Sequence, residues 1–119
     1  MSLFVYGIPT CNSCKKAQKW LDSQSIAYTW VDTRKTPPSE KQVQSWIGDI
    51  GNKTMRNTSG GSYRALGEEK HTWSDTQWGK AFAADPMLLK RPLFVQDEKA
   101  LFTGFRGSDE DLLAKLGKS

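Results

Sequence analysis

Apolar positions at the start of the chain follow two different spacings. Residues 3–7 form a short apolar run that ends at Gly7 and predicts a buried strand. Residues 12–24 place apolar side chains at helical spacing, and residues 26–31 mix the β-branched and aromatic side chains that are typical of a strand. A strand, a helix and a second strand in this order predict a βαβ unit whose two strands are parallel.

After a pair of prolines the pattern becomes helical. The capping-box signature Ser-x-x-Gln opens two predicted helices, over residues 39–50 and 74–84. Residues 52–72 between them are polar, with two adjacent glycines in the middle, and predict at most short helical turns. This part of the chain therefore predicts a helical insertion at about residues 37–88.

The last part of the chain returns to strands. Residues 93–95 and 100–102 are apolar and flank a polar turn, which predicts an antiparallel hairpin, and a Ser-x-x-Asp pattern then caps a final helix. The full order, β-α-β, helical insertion, β-β-α, predicts an α/β protein with a thioredoxin-like fold, formed by one domain over residues 1–119. Five tryptophans fall mostly on apolar faces and are expected in the core: Trp20, Trp30, Trp46, Trp73 and Trp78.

Composition excludes several classes of protein. No apolar run among the 119 residues approaches the roughly 20 residues of a membrane span, so no membrane association is expected. The N-terminal residues lack the basic stretch and apolar segment of a signal peptide, which predicts a cytoplasmic location. A net charge of +4 suits an acidic partner or an anionic substrate, but without a long basic run it does not indicate direct nucleic-acid binding.

The candidate chemistry lies in Cys11 and Cys14, the only cysteines, which form a Cys-x-x-Cys motif between the first strand and helix. A thiol in the first turn of a helix faces unpaired backbone N–H groups and the positive end of the helix dipole, which favour the thiolate. The positive charges of Lys15 and Lys16 are also expected to favour the thiolate. Such a pair indicates redox chemistry. Inert packing and a metal site are the alternatives, but zinc normally takes four ligands and His71 is the single histidine.

Several further motifs accompany the cysteine pair. These motifs, counted together with the cysteine pair, are residues 6–17 (YGIPTCNSCKKA), 36–38 (TPP), 57–60 (NTSG), 63–66 (YRAL), 90–93 (KRPL) and 103–105 (TGF). In combination they resemble the ArsC-type arsenate reductases and their Spx/MgsR relatives, most closely the YffB-like branch. The resemblance spans nearly the whole chain, and its specificity comes from the combination of motifs.

The resemblance implies roles for individual residues. Cys11 matches the cysteine that attacks the substrate in the arsenate reductases, and Pro92 matches a proline that is commonly cis and lies against it. Arg91 and Arg106 match arginines that bind the substrate anion beside the thiol. Relatives carry a third arginine where this chain has Ser59, which argues against arsenate as the physiological substrate. No bound cofactor is implied, and glutathione would act as a co-substrate.

Two functions follow from the resemblance, and the residues leave both open. In a thiol-dependent reductase, Cys14 resolves the adduct formed on Cys11, and glutathione, glutaredoxin or thioredoxin supplies the electrons. In a regulator of the Spx/MgsR kind, a Cys11–Cys14 disulfide switches binding to the C-terminal domain of the RNA polymerase α subunit. Gly51 falls where those regulators carry a contact glycine, and it equally suits a helix C-cap. The reductase is favoured, because basic groups beside Cys11 serve catalysis more directly than docking.

Overall fold

A computed structural model describes residues 2–117 and contains a four-stranded mixed sheet. The strands are β1 (Leu3–Gly7), β2 (Thr29–Asp32), β3 (Leu93–Gln96) and β4 (Lys99–Thr103), in the spatial order β2-β1-β3-β4. β1 and β2 are parallel, and β3 is antiparallel to both β1 and β4. The predicted thioredoxin-like fold class is confirmed. Both ends of the predicted 1–119 domain, Met1 and residues 118–119, lie outside the described residues.

Two helices cover one face of the sheet, α1 (Asn12–Ser23) and α6 (Asp109–Lys115). Their inner side chains meet the central strands in one apolar cluster, made by Leu3, Val5, Ala17, Leu21, Ile26, Phe94 and Leu116. Each fully buried aliphatic or aromatic side chain stabilises the fold by about 1.5–3 kcal/mol. This cluster therefore fixes the direction in which α1 leaves the sheet.

The insertion covers the opposite face. Its main helices, α2 (Glu40–Ile50) and α5 (Asp75–Ala84), both begin with the predicted Ser-x-x-Gln capping boxes. The shorter elements are α3 (Asn52–Met55), α4 (Gly61–Arg64) and two 3-10 turns, Glu68–Thr72 and Pro86–Leu88. Trp46 and Trp78 are the largest side chains in the apolar cluster that joins the insertion to the sheet. None of the helices in residues 2–117 is long and apolar enough to cross a membrane.

β2 is shorter than predicted, because it starts at Thr29 rather than at Ile26. The register places Phe4 opposite Thr29, so residues 26 and 27 lie beyond the start of β1 and have no strand to pair with. Ile26 is buried in the connection instead, where its N–H donates to the Leu21 carbonyl oxygen at 3.0 Å.

The tryptophans are less uniformly buried than expected. Trp46 and Trp78 are buried, whereas Trp20, Trp30 and Trp73 are half-buried at the margins of the two clusters. The Trp20 ring N–H donates to the Asp109 carboxylate at the surface, at 2.9 Å. A large ring can pack one face while its polar N–H bonds at the surface, so an apolar helix face does not require full burial.

One edge of the sheet gathers the ends of all four strands. The end of β1 meets the start of β3, with Tyr6 opposite Leu93, and the end of β4 meets the same start, with Thr103 opposite Leu93. The end of β2 lies beside β1, with Gly7 opposite Asp32. We call this side of the sheet the thiol edge, because the loop that leaves β1 here carries the Cys-x-x-Cys motif.

Candidate active site

Cys11 lies at the junction between the thiol edge and α1. It is the N-cap residue of α1, with an extended backbone, and its own N–H donates to the Ile8 carbonyl oxygen at 3.3 Å. Its carbonyl oxygen accepts the first helical hydrogen bond, from the Lys15 N–H at 3.1 Å. Cys11 is half-buried, whereas Cys14 is completely buried, and both are free thiols. The motif thus occupies the helix start that its position in the sequence predicted.

The pKa of Cys11 is lowered from its ordinary value. Partial burial opposes this by favouring the neutral thiol, but the Cys14 backbone N–H, the Cys14 thiol and the Arg91 guanidinium together outweigh burial. Lys15 and Lys16, expected to contribute, are exposed and are not among the groups that shift this pKa. Cys11 is therefore the thiol of the pair that ionises, and the start of its own helix is a main reason.

The pKa of Cys14 moves in the opposite direction, to about 12. Burial is the largest cause, and the hydrogen bond and charge of Cys11 raise it further, while the Ile8 backbone N–H and the Arg91 guanidinium lower it. Cys14 keeps its proton at neutral pH and donates it to the Cys11 sulfur. Two thiols one helical turn apart therefore differ in character, the first nucleophilic and accessible, the second protonated and protected.

Arg91 is held beside the thiols by the segment that leaves the insertion. Its Nη1 donates to the carbonyl oxygens of Met87 and Leu89, at 3.4 and 3.2 Å. The next peptide bond, Arg91–Pro92, is cis, and Pro92 is buried. The half-buried guanidinium lowers the pKa of both thiols, so the structure brings Arg91 together with the cysteine pair.

Arg106, the second expected arginine, lies in the loop between β4 and α6. Its neighbour Phe105 packs edge-on against Trp20 of α1, with ring centroids 5.9 Å apart. The Arg106 side chain is exposed, and it is not among the groups that shift the pKa of either cysteine. The placement of Arg106 beside the thiols therefore stays a prediction.

The insertion offers neither a replacement arginine nor a metal-binding cluster. The Arg56 guanidinium stacks over the Trp78 ring at 4.1 Å and donates to the Asn52 side chain. Ser59 is exposed, and its carbonyl oxygen accepts a hydrogen bond from Arg64 Nη1 at 2.6 Å. Over the described part of the chain, no group of three or more His, Cys, Asp or Glu side chains could hold a metal ion.

Gly7 and Trp30 also belong to the site, although the sequence pattern marked them only as a strand end and a core residue. A Cβ on Gly7 would lie 2.5 Å from Cys14 Sγ and 2.8 Å from the Trp30 ring. Real Cβ atoms essentially never approach other atoms so closely, so the missing side chain at Gly7 makes room for the buried sulfur. A glycine at the end of the strand before the cysteines was the available signal.

Gly7→Ala is expected to destabilise the protein by about 1–3 kcal/mol, the usual cost of an added methyl in a packed site. Because the methyl would displace Cys14, the pKa of Cys11 should rise toward its ordinary value. Urea unfolding and the pH dependence of iodoacetamide alkylation measure the two effects. Gly48→Ala is the matched control, since Gly48 is exposed within α2 with open space at its Cβ position. If Gly7→Ala lowered the free energy of unfolding by the same amount in a Cys14→Ala background, this result would contradict the clash with the Cys14 sulfur.

Comparison by sequence relates this site to a family. The model of the ArsC family matches residues 6–111. An uncharacterised protein, YusI from Bacillus subtilis (strain 168), is 34% identical over 110 residues, which make up 89% of this chain and 92% of that protein. The global transcriptional regulator Spx 2 from Lactococcus lactis subsp. lactis (strain IL1403) is 26% identical over 117 residues, covering 97% of this chain and 86% of the regulator.

Solved structures agree with the sequence comparison. A possible arsenate reductase from Streptococcus mutans UA159 has a TM-score of 0.84 and 38% identity, covering 92% of this chain and 96% of that one. A protein named YffB has a TM-score of 0.82 and 28% identity, covering 95% of this chain and 96% of its own. With matches this extensive in both sequence and structure, the chain belongs to the ArsC family.

Proposed function

We propose that the protein is a thiol-dependent reductase with Cys11 as its nucleophile. The observation that carries this proposal is the opposite behaviour of the two thiols: the pKa of Cys11 is lowered, and that of buried Cys14 is raised to about 12. Thiol–disulfide exchange needs an accessible thiolate for the first attack and a second thiol that stays unreactive until the adduct has formed. The cysteine pair meets both needs.

The proposed reaction has two steps. The Cys11 thiolate attacks one sulfur of a substrate disulfide, so a new bond to Cys11 forms, the substrate disulfide breaks, and its other sulfur leaves as a thiolate. In the mixed disulfide, Cys11 no longer carries the charge that raises the pKa of Cys14. Cys14 then gives its proton to the thiolate released in the first step and attacks the Cys11 sulfur, which releases the second substrate thiolate and closes the Cys11–Cys14 disulfide. The substrate gains two electrons, and thiols of glutathione, glutaredoxin or thioredoxin return them.

The favoured substrate class is a disulfide or a glutathione-capped thiol rather than arsenate. An oxyanion needs several forked donors, and here Arg91 is the guanidinium that acts on Cys11 while Arg56 is engaged by Trp78. Each missing charged hydrogen bond costs on the order of 1.5–3 kcal/mol, about ten- to a hundredfold in affinity. A disulfide carries no charge at its reacting atoms, so one cation beside the leaving thiolate is sufficient. We place the reaction in the cytosol, where reducing thiols are available.

Turnover of defined substrates tests the proposal. With glutathione as reductant, we expect the protein to reduce the mixed disulfide of glutathione and 2-mercaptoethanol faster than a Cys11→Ser control. Arsenate should be reduced at least about tenfold more slowly, because an anion donor is missing. Adding glutaredoxin or thioredoxin identifies the preferred electron donor. No turnover above the Cys11→Ser control with any of the three reductants would exclude the function.

The pH dependence of alkylation should report the pKa of Cys11 directly. Iodoacetamide reacts with the thiolate, so the rate should reach half its maximum at a lower pH than for an unperturbed cysteine thiol. Arg91→Gln removes one of the groups that lower this pKa, so the midpoint should move upward, whereas Arg91→Lys keeps the charge and should move it less. A wild-type midpoint at the value of a free cysteine would contradict the role of Cys11.

A redox-switched regulator is the second candidate, and the likeness to the Spx 2 sequence favours it. A Cys11–Cys14 disulfide would remove the charge that faces Arg91, which also bonds carbonyl oxygens at the end of the insertion. In this scheme oxidation alters affinity for the RNA polymerase α subunit. Gly51 has φ of 85° at the end of α2, so the helix terminus alone accounts for a glycine there. Capture of the α subunit by neither the reduced nor the oxidised protein would exclude this candidate.

A further inference from the structure

Positively charged residues are concentrated in the segments of the thiol edge, where Cys11 also lies. We propose that they form a docking surface for an acidic protein whose own cysteines exchange with Cys11. This rests on the reductase function and adds the kind of partner to it. The surface, here the cationic rim, consists of three pairs of neighbouring residues: Lys15 and Lys16, Arg34 and Lys35, and Lys90 and Arg91.

The fold brings the three pairs of the cationic rim together. The first pair, at the fourth and fifth positions of α1, directly follows the Cys-x-x-Cys motif. The second pair follows β2, in a loop that the Thr33 N–H ties to the Gly7 carbonyl oxygen at the end of β1, at 2.9 Å. The third pair precedes β3, and its arginine acts directly on the Cys11 sulfur. All three pairs therefore lie in segments at the thiol edge, where the half-exposed nucleophile also lies.

The cationic rim has little compensating negative charge. Its three segments are residues 8–16, 32–36 and 89–93. The chain has 13 acidic residues, but Asp32 is the only one in these segments. Asp32 pairs with Arg34 at 3.7 Å, and no other rim side chain forms an ion pair within residues 2–117. Six cations and one carboxylate give the rim a formal charge of +5, which exceeds the +4 of the whole chain.

The form of the rim fits an acidic protein better than a small anion. Five of its six side chains are exposed, and exposed lysines are mobile, strongly hydrated charges that hold a small anion weakly. Among the six rim side chains, Arg91 alone is half-buried and suited to binding a small anion. Charge spread over three segments acts instead through its field, which raises the rate of encounter with an acidic surface by about 10- to 1000-fold at low salt.

Exchange with a partner docked on the cationic rim follows the same two steps as the proposed reductase reaction. The partner supplies a disulfide and this chain supplies the Cys11–Cys14 dithiol. A bond from Cys11 to one partner sulfur forms as the partner disulfide breaks, and the other partner sulfur leaves as a thiolate. Attack by Cys14 then releases the first sulfur, so the partner gains two electrons and this chain retains the disulfide, which glutathione thiols reduce.

Three peptides of equal length test the docking surface. Each carries one cysteine as a mixed disulfide with 2-thiopyridine, flanked by aspartates, serines or lysines, and release of 2-thiopyridone gives the second-order rate constant with the full chain. At low salt the aspartate peptide should react at least about tenfold faster than the serine peptide. The lysine peptide should be the slowest. The differences should shrink as salt shortens the Debye length to about 3 Å at 1 M.

Charge reversal locates the effect on the protein. Lys35→Glu combined with Lys90→Glu should lower the rate of the aspartate peptide by about tenfold. Lys80→Glu combined with Lys99→Glu is the matched control, because it changes the net charge equally at exposed lysines outside the rim. Lys80 lies in α5 of the insertion and Lys99 at the edge of the sheet opposite the thiol edge, so this pair should leave the rate unchanged.

The outcomes separate the docking surface from the reductase function. An aspartate peptide no faster than the serine peptide, or an equal loss in the control pair, would overturn the docking surface. If Lys35→Glu with Lys90→Glu slows glutathione disulfide by the same factor as the aspartate peptide, the partner is not a protein and the proposal fails. The uncharged serine peptide reports the Cys11 thiolate itself. If the serine peptide reacted with the protein no faster than with an ordinary free thiol, this result would overturn the reductase function instead.

Discussion

Replacing Cys14 with serine should stop turnover while leaving Cys11 able to accept a substrate thiol. The first attack needs only the Cys11 thiolate, but the second needs a thiol held one helical turn away. An intramolecular group of this kind acts at effective concentrations of up to about 10⁵ M, far above those of free glutathione. The loss in kcat is therefore expected to be at least about a hundredfold, and intact-mass spectrometry should find one glutathione attached to Cys11.

Cys11→Ser provides the matched control for this result. Cys14 is 0% exposed, so no adduct should form on it, and the protein should keep its unmodified mass. Normal turnover by Cys14→Ser would contradict the resolving role, because it would show that glutathione from solution releases the adduct directly. A stable adduct on Cys14 in the Cys11→Ser protein would contradict the assignment of the nucleophile.

Trp78→Ala should produce the largest loss of stability, about 3–5 kcal/mol, the usual cost of removing a buried tryptophan. Trp78 is 0% exposed and packs against three aromatic rings, with centroids 6.3 Å away for Tyr63, 5.0 Å for Trp73 and 5.5 Å for Phe82. The Arg56 guanidinium also lies over its ring, at 4.1 Å. One substitution therefore removes the centre of the insertion and frees a half-buried arginine.

The Trp78→Ala effect should extend to the thiols. The chain beside Arg56 holds the segment before Arg91 through two backbone hydrogen bonds of 2.8 Å, from Asn57 N–H to the Leu88 carbonyl and from Lys90 N–H to the Met55 carbonyl. Weakening these two hydrogen bonds should loosen the hold on Arg91, which lowers the pKa of Cys11, so that pKa should rise. Urea unfolding and alkylation rates measure both effects, with the half-buried Trp20→Ala as the less costly control. A folded Trp78→Ala protein with wild-type Cys11 reactivity would contradict the coupling.

Local patterns predicted the elements well, because they depend on residues close in sequence. The Ser-x-x-Gln boxes correctly located the starts of α2 and α5, since a capping box is a contact between residues three apart. The run over residues 3–7 located β1 for the same reason. The start of β2 was predicted too early, at Ile26, because the extent of an edge strand depends on where its partner strand begins.

The site was harder to predict, because its members meet only through the fold. Spacing identified the cysteine pair, and the family resemblance identified Arg91. Arg106 was expected beside them and stays a prediction; the contact of its neighbour Phe105 with Trp20 was not visible in the sequence. The role of Gly7 depends on the position of the Cys14 sulfur, which belongs to the third residue of α1. A pattern of apolar positions could therefore mark Gly7 only as the end of a strand.

Complete burial of Cys14 has a consequence for exposure to peroxide. Of the two cysteine sulfurs, an oxidant in solution reaches only that of Cys11, and its first product there is a sulfenic acid. The protected neighbour can condense with that acid, releasing water, before a second oxygen atom is added. Oxidative damage thus stops short of the irreversible sulfinic stage, and an inactivated molecule stays recoverable.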